Sequence, residues 1–221
     1  TFGNTEIAEK LRSLDGDFSI VLLQNGFRLV KTFEDFNKVY RCVMFVNSQV
    51  TSDNEVTFKT ILASPIGNLE GNNEGLDNLI RQINTPEFEF REESNIFKYV
   101  WKKVIINCVF NSICPLLEVD NGVFYRDLNA KNLAGIVVEE CVSLARVKGM
   151  LLDHDEIMEN IILISQKSDG QFNSTCMDIL NKRQTEIDKL NLEIAVVADE
   201  VGQPDLVKNT RMLGQLVLIK S

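Results

Sequence analysis

The sequence holds few of the side chains that bind soft metal ions. It has one histidine, His154, among 221 residues, and its five cysteines form no Cys-x-x-Cys pair. These counts predict no metal centre. Because the cysteines are odd in number and most stand among apolar residues, we expect buried free thiols in a reducing compartment, and therefore a cytoplasmic protein.

Long apolar runs and basic blocks are also missing. The longest apolar runs, such as Val43–Val46 and Ile194–Ala198, fall far short of the roughly 20 residues that cross a bilayer. The net charge is −9, from 23 basic and 32 acidic residues. We therefore expect neither a membrane nor a nucleic acid as a partner. The 44% hydrophobic and 25% charged residues are typical of a folded globular protein.

The first part of the chain shows alternating helix and strand patterns. Asn4 or Thr5 is expected to cap a first helix that begins at Glu6. The continuous apolar run Phe18–Leu23 is typical of a strand buried in a parallel sheet. Further strands are predicted at Val39–Val46, Glu55–Leu62 and Phe88–Phe90, with a break at 64–68 and a helix at Gly75–Ile83. The pattern predicts an α/β domain over residues 1–93.

After that point only helical periodicity remains. Pro115 is expected to stop the first of these helices, and Gly149 to mark the end of the second. The helices are predicted at Asn95–Cys114, Leu128–Lys148, Asp155–Lys167, Ser174–Val201, with or without an interruption, and Leu206–Ile219. The second domain, over residues 94–221, is therefore expected to be all-α.

The helix Asn95–Cys114 carries a polar stripe on an otherwise apolar surface. Lys103, Asn107 and Asn111 recur at intervals of four, which aligns them on one face. Because an unpaired buried polar group costs about 1–3 kcal/mol, these side chains need partners. Either the stripe meets a wet crevice or a carboxylate of another helix, or it lines a small pocket for an oxygen-rich ligand.

A second stripe is predicted on the helix that begins at Ser174. Ser174 is expected to cap this helix, with Asp178, Lys182 and Glu186 following at intervals of four. Spacing alone favours an ordinary solvated face.

Two Asn-Gly pairs stand at predicted turns. Asn25-Gly26 follows a predicted buried strand, where ligands collect in open α/β sheets, although Asn-Gly is also a common turn. Asn121-Gly122 indicates a turn in the same way.

Several short motifs occur together and in a definite order. They are W-K-K-x-x-x-N-x-x-x-N (Trp101 to Asn111), N-G (Asn121-Gly122), S-x-x-M-D-I (Ser174 to Ile179) and T-E-I-D-x-x-N (Thr185 to Asn191). This combination resembles the ketopantoate reductase (2-dehydropantoate 2-reductase) family. The motif L-L-Q-N-G (Leu22 to Gly26) fits the dinucleotide-binding domain of that family, so the resemblance covers essentially the whole chain.

The resemblance implies a two-domain oxidoreductase. A Rossmann-type domain that lacks its first βαβ units would bind NADPH over residues 1–93. A helical domain like the C-terminal domain of 6-phosphogluconate dehydrogenase would follow it. The implied reaction is the reduction of a small-molecule 2-keto acid, 2-dehydropantoate, to pantoate in pantothenate and coenzyme A biosynthesis. The long helices could also join two copies in a homodimer.

The same resemblance assigns roles to the polar residues. Lys103 would be the general acid, and Glu186 would act with it, because a nearby carboxylate raises the pKa of a lysine. The keto acid would be held by Asn107, Asn111, Asn121 and Ser174. The cofactor would be bordered by Asn25, Ser48 and Glu186.

The chain departs from the family pattern where the cofactor phosphates would bind. It contains no G-x-G-x-x-G, and Gly67, Gly71 and Gly75 have the wrong spacing for that turn. The family pattern places the phosphate-binding turn before Thr1, so we expect these 221 residues alone to bind NADPH weakly or not at all. Three further departures are Arg28 and Leu192 where the family tends to have glycine, and Val207 where it tends to have proline.

Two other functions stay open. A catalytically silent helical association domain would leave the two stripes scattered or covered by a second chain. A reductase of another 2-keto acid would keep the same catalytic residues with a different pocket.

Overall fold

The computed structural model describes residues 3–27, 31–52, 54–60, 63–68 and 74–221. The chain forms two compact units. The first comprises Thr1–Gln24 and Arg28–Val100, and the second comprises Asn25–Phe27 and Trp101–Ser221. Three residues of an early loop therefore group with helices that come much later in the chain.

The first unit contains a mixed sheet, a hairpin and two helices in its described part. Its elements are α1 (Asn4–Arg12), β1 (Ile20–Leu22), β2 (Val39–Cys42), β3 (Val46–Ser52), β4 (Glu55–Thr60), β5 (Ser64–Asn68), α2 (Leu76–Ile83) and β6 (Phe90–Glu92). The sheet has the order β1-β2-β5-β6, and β3 pairs with β4 in an antiparallel hairpin. β1 is parallel to β2 and β5 to β6, whereas β2 and β5 are antiparallel.

Apolar side chains pack on both faces of this sheet. Because successive strand residues point to opposite faces, Val39 and Tyr40 of β2 belong to different clusters. The Val39 cluster includes Ala8 of α1, and the Tyr40 cluster includes Leu76 of α2. The buried strand predicted from Phe18–Leu23 is confirmed over Ile20–Leu22.

The break predicted at Ser64–Asn68 is wrong, because these residues form β5. The composition S-P-I-G-N favours a turn, but Ile66 is completely buried and pairs with Glu92 of β6. Gly67 is needed in the strand, since a Cβ there would lie 2.2 Å from the carbonyl oxygen of Glu93. Burial and close packing therefore override the local turn preference.

Smaller differences concern where the elements of the first unit begin and end. Asn4 does not cap α1: it lies inside the helix and its Oδ1 accepts a hydrogen bond from Gln24 Nε2 at 3.3 Å. The strand predicted at Val39–Val46 ends at Cys42, and a new strand starts at Val46. Of the strand predicted at Glu55–Leu62, residues 61 and 62 lie outside the described residues.

The second unit is helical, as predicted. Its elements are α3 (Ile96–Leu117, whose first turn belongs to the first unit), α4 (Val123–Arg126), α5 (Leu128–Val147), α6 (His154–Lys167), α7 (Ser174–Leu180), α8 (Asn191–Glu200) and α9 (Lys208–Lys220), with 3-10 turns at Ile187–Lys189 and Pro204–Val207. Asp127 and Asp153 cap α5 and α6 through their side chains. An α/β part followed by an all-helical part confirms the predicted fold class.

Helix α3 is largely buried along its length. Val104, Ile105, Cys108 and Val109 are almost wholly inaccessible to solvent. By length and hydropathy α3 could cross a membrane, yet 67% of its most apolar window is buried inside the protein. The helix has the burial of a core helix, because apolar side chains cover nearly all of its circumference.

Pro115 does not stop α3, contrary to the sequence prediction. The helix continues to Leu117. A proline in the last turn removes a single amide donor, which costs less there than in the middle of a helix. The helix ends instead at Glu118, whose φ of 56° is left-handed, and Val119 N donates to Cys114 O at 3.1 Å.

Gly214 on α9 marks a close approach between helices and provides a test of this packing. A Cβ at Gly214 would lie 2.8 Å from Asn191 Cβ and 2.9 Å from Leu192 Cδ2, both on α8. We expect Gly214→Ala to lower the free energy of unfolding by about 1–3 kcal/mol, because the helices would have to separate.

Gly135 of α5 supplies the matched control, because a Cβ there meets no atom within 4 Å. Gly135→Ala should raise the free energy of unfolding by up to about 1 kcal/mol through helix propensity. Urea denaturation of both variants measures the difference. Equal effects of the two substitutions would contradict the α8–α9 contact.

Candidate functional site

The site is built on α3. Lys103, Asn107 and Asn111 lie on successive turns of this helix, so neighbouring Cβ atoms are about 5–6 Å apart. Lys103 and Asn107 are half-buried, whereas Asn111 is only 6% exposed. The polar stripe predicted from spacing therefore runs from a partly open end to a closed one.

The loop Asn25–Phe27 is anchored to the helical unit by a buried carboxylate. Glu193 of α8 is buried, and its Oε2 accepts a hydrogen bond from the backbone N–H of Phe27 at 2.8 Å. Gly26 has a φ of 96°, and a Cβ there would lie 3.0 Å from Glu193 Oε2. Both the backbone angle and the space therefore require glycine at this position. The Phe27 ring packs 4.5 Å from that of Trp101.

This loop brings Asn25 between two of the predicted site residues. Asn107 Nδ2 donates to Asn25 Oδ1 at 3.5 Å, and Asn25 Nδ2 donates to Glu186 Oε2 at 3.5 Å. Both distances are at the long end of the range for hydrogen bonds. The structure thus joins Asn107, Asn25 and Glu186 in one polar chain, with Lys103 one helical turn from Asn107.

Glu186 reaches this place through a turn and not on a helix face. The stripe predicted for Asp178, Lys182 and Glu186 is wrong, because α7 ends at Leu180 and Lys182 has a left-handed φ of 52°. Arg183 closes the turn, with its N–H on Asp178 O at 2.8 Å and its Nε on Asp178 Oδ1 at 3.1 Å. The chain then turns back, and Glu186 immediately precedes the 3-10 turn.

Lys103 has the electrostatic setting of a proton donor. Burial lowers the pKa of its ammonium below the ordinary value, because the charged form loses hydration. A lower pKa brings the group closer to the neutral pH at which general acids are most effective.

A second group of polar residues surrounds Asn121. Its N–H donates to Gln171 O at 2.8 Å, and its carbonyl accepts from Ser165 Oγ at 2.7 Å. Its side-chain Oδ1 accepts from Asn173 Nδ2 at 3.3 Å. Within the residues that the structure describes, Asn121 Nδ2 makes no hydrogen bond, so two N–H donors remain for a ligand.

The turn that carries Asn121 is held by charge. Asp120 Oδ2 accepts from Arg126 Nη2 at 2.7 Å, and its Oδ1 accepts from Gly122 N, also at 2.7 Å. The hydrogen bond from Arg126 holds the pKa of Asp120 below its usual range. Gly122 has an ordinary αR backbone, and a Cβ there would meet the ends of the Asp169, Arg126 and Asp120 side chains, which would have to shift.

Ser174 is the first residue of α7, but it does not cap the helix as predicted. The cap is Asn173, whose Oδ1 accepts from Cys176 N at 3.0 Å. Ser174 is exposed, and its hydroxyl makes no hydrogen bond in the described part of the chain. It therefore stays available for a ligand.

Asn111 contributes an acceptor without a donor. Its Oδ1 is buried and has no hydrogen-bond partner among the described residues. An unsatisfied buried acceptor costs about 1–3 kcal/mol, which a ligand hydroxyl would recover. Ser48, by contrast, lies in β3 of the first unit opposite Phe58; its side chain lies outside the described residues, and its cofactor role stays a prediction.

Two residues of the site were not identified from the sequence. For Glu193 the sequence does hold a signal, because a single carboxylate within the apolar run of α8 indicates a buried partner. For Asn173 it holds none, because the adjacent Ser174 has an equally good capping side chain.

Comparison with known proteins identifies a family for the helical part. Residues 95–220 match the family model "Ketopantoate reductase PanE/ApbA C terminal". A 2-dehydropantoate 2-reductase of Pyrococcus horikoshii is 30% identical over 133 residues, which are 60% of this chain and 44% of that protein. The match thus spans less than half of the length of this relative.

Solved structures share the fold over the whole chain. A PanE/ApbA family ketopantoate reductase from Ralstonia eutropha JMP134 has a TM-score of 0.84 and 23% identity, covering 100% of this chain and 72% of that one. The structure of D-mandelate dehydrogenase with NADH and anilino(oxo)acetate has a TM-score of 0.85 and 21% identity, and the match covers 100% of this chain and 73% of that one. A dimeric ketopantoate reductase from Staphylococcus aureus has a TM-score of 0.82 and 20% identity, and the match covers 100% of this chain and 76% of that one.

The lowered pKa of Lys103 predicts a pH-dependent stability. Between the folded pKa and the ordinary value near 10.4, the unfolded chain binds more protons, so stability rises with pH in that window. Lys103→Met removes this titration. The difference in Tm between Lys103→Met and wild type should therefore shift in favour of wild type as the pH rises from about 7 to 10. Thermal unfolding followed by circular dichroism measures it, and a constant difference would contradict a desolvated lysine.

Proposed function

Because the chain belongs to the ketopantoate reductase PanE/ApbA family, we propose that the protein reduces a 2-keto acid with a nicotinamide cofactor. The specific reaction that we propose is the NADPH-dependent conversion of 2-dehydropantoate to pantoate, which serves pantothenate and coenzyme A biosynthesis. The observation that supports it is the polar chain Asn107–Asn25–Glu186 beside Lys103 on α3.

Lys103 suits the role of general acid in this reaction. Hydride addition to a ketone leaves negative charge on the oxygen, and an ammonium can stabilise that charge and donate its proton. Burial lowers the pKa of Lys103, which favours donation. Glu186, which meets Asn25 in the polar chain, is proposed as the second catalytic residue beside Lys103.

The free donors and acceptors of the site suit a hydroxylated keto acid. Asn121 offers two N–H groups and Ser174 a hydroxyl, which can bind a carboxylate without adding charge. Asn111 Oδ1 needs a donor, which a substrate hydroxyl supplies. Asn107 would complete the set beside the reacting carbonyl. We therefore favour 2-dehydropantoate over keto acids that lack a hydroxyl.

The described residues suit one end of a nicotinamide cofactor. Asn25 offers a carboxamide and Glu186 a carboxylate, the polar groups that we propose hold the cofactor. When bound, the nicotinamide supplies the hydride. The 221 residues contain no glycine-rich turn for the phosphates. NADPH in place of NADH is a proposal from the family resemblance, as is the contact with Ser48.

The alternative of a silent association domain has less support. Such a domain would leave the predicted site residues scattered, whereas Asn25, Asn107 and Glu186 converge. We further propose a cytoplasmic homodimer, to which the dimeric state of the Staphylococcus aureus relative lends support.

The proposed function is tested by turnover. Purified full-length protein is assayed with 2-dehydropantoate and with benzoylformate, each with NADPH and with NADH. The highest kcat/KM is expected for 2-dehydropantoate with NADPH. A higher kcat/KM for benzoylformate would show that the substrate is a different 2-keto acid. Absence of turnover with both compounds would contradict the proposed function.

The role of Lys103 is tested with its neighbour as control. Lys103→Ala should lower kcat by at least about 100-fold, the loss expected for a general acid. Lys102→Ala should leave kcat nearly unchanged, because Lys102 pairs with Glu156 of α6. If Lys103→Ala turns over at the wild-type rate, the lysine is structural and the mechanism is wrong.

The role of Asn111 is tested with a matched pair of substrates. Asn111→Ala should raise KM for 2-dehydropantoate by the equivalent of about 1–3 kcal/mol, because the substrate hydroxyl loses its acceptor. Trimethylpyruvate lacks only that hydroxyl, and its KM should change much less. An equal rise for both substrates would indicate that the packing of α3 has changed instead.

A further inference from the structure

Asn173 connects three parts of the helical unit. Its Nδ2 donates to the carbonyl of Phe110 on α3 at 2.9 Å and to Asn121 Oδ1 at 3.3 Å. Its Oδ1 accepts from Cys176 N at 3.0 Å and so caps α7. One half-buried carboxamide therefore joins α3, the Asn121 turn and the start of α7.

The contact with Asn173 determines which way the Asn121 carboxamide faces. The backbone of Asn121 is already held on both sides, by Gln171 O and Ser165 Oγ, so the remaining freedom is that of its side chain. With Oδ1 engaged by Asn173, the two N–H donors of Asn121 are turned away from this bond. They make no other hydrogen bond in the part of the chain that the structure describes.

The contact with Phe110 sets the position of this group along the polar stripe. Phe110 directly precedes Asn111, and Asn173 directly precedes Ser174. The Asn173 side chain thus holds Asn121 and the start of α7, where Ser174 lies, near the Asn111 end of the polar stripe.

We propose that Asn173 is a positioning residue for the substrate. It presents the N–H donors of Asn121, together with the hydroxyl of Ser174, to the carboxylate of the 2-keto acid. This inference rests on the proposed function, since it names a role for Asn173 in binding the same keto acid.

The capping and positioning roles of Asn173 can be separated by substitution. Serine keeps an oxygen that caps the helix, but its hydroxyl is too short to reach Phe110 and Asn121 as the carboxamide does. Alanine loses both roles. A purely structural Asn173 would therefore lower Tm without changing KM for the keto acid, whereas a positioning residue raises that KM with both substitutions.

The experiment measures KM, kcat and Tm of the full-length protein with 2-dehydropantoate and NADPH. Asn173→Ser should raise KM for the keto acid about tenfold, the loss expected for one misplaced hydrogen-bonding group, with little change in kcat or in KM for NADPH. Its Tm should fall through the loss of the Nδ2 hydrogen bonds to Phe110 and Asn121, although the helix cap is kept. Asn173→Ala should raise KM equally, and its Tm should be about 2–4 °C lower than that of Asn173→Ser, because the helix cap is lost as well.

A double-mutant cycle shows whether Asn173 acts through Asn121. Asn121→Ala with Asn173→Ser should be no worse in KM than Asn121→Ala alone, because the group to be positioned is already gone. Multiplication of the two effects, or a wild-type KM in Asn173→Ser, would overturn the inference. If wild type reduces no keto acid, the proposed function fails instead, and with it the ligand assigned to Asn121.

Discussion

Helix α3 has to be buried, because its surface is apolar nearly all round, and this burial carries its polar stripe into the interior. Ile105 and Val109 lie in the core, while Lys103, Asn107 and Asn111 on the same helix need partners. Asn107 donates a hydrogen bond to Asn25, but Asn111 Oδ1 accepts none from the described residues. The cost of dehydrating these groups is offset in part by protein contacts and in part by the ligand that we propose.

Asn25 and Asn121 each stand in a short loop that a carboxylate holds in place. The Asn25 loop is held by the buried carboxylate of Glu193, where the left-handed backbone of Gly26 allows a close approach, and the Asn121 turn is held by the carboxylate of Asp120. In each loop the carboxylate accepts a hydrogen bond from a backbone N–H. The loop backbone that carries Asn25 or Asn121 is therefore held without using the side chain of that asparagine. Such support keeps binding groups in place before the ligand arrives.

The departures from the family pattern fall outside the polar stripe. Leu192, where the family tends to have glycine, packs against Gly214, so the extra side chain on α8 is accommodated by the lack of one on α9. Val207 is fully buried within the 3-10 turn that precedes α9. Arg28 lies outside the described residues. Leu192 and Val207 affect helix packing, and Lys103, Asn107 and Asn111 of the polar stripe are retained.

The sequence by itself determined the long helices α3, α5 and α6 and the alignment of Lys103, Asn107 and Asn111, because both follow from the helical period and involve residues three or four apart. Only the tertiary structure decided that Ser64–Asn68 pairs as a strand, that Asn173 caps α7, and that Glu186 meets Asn25. Asn25 and Glu186 are separated by 161 positions. No local pattern encodes such a contact, since it depends on how buried helices and glycine turns pack, and packing sums over many neighbours that are distant in the chain.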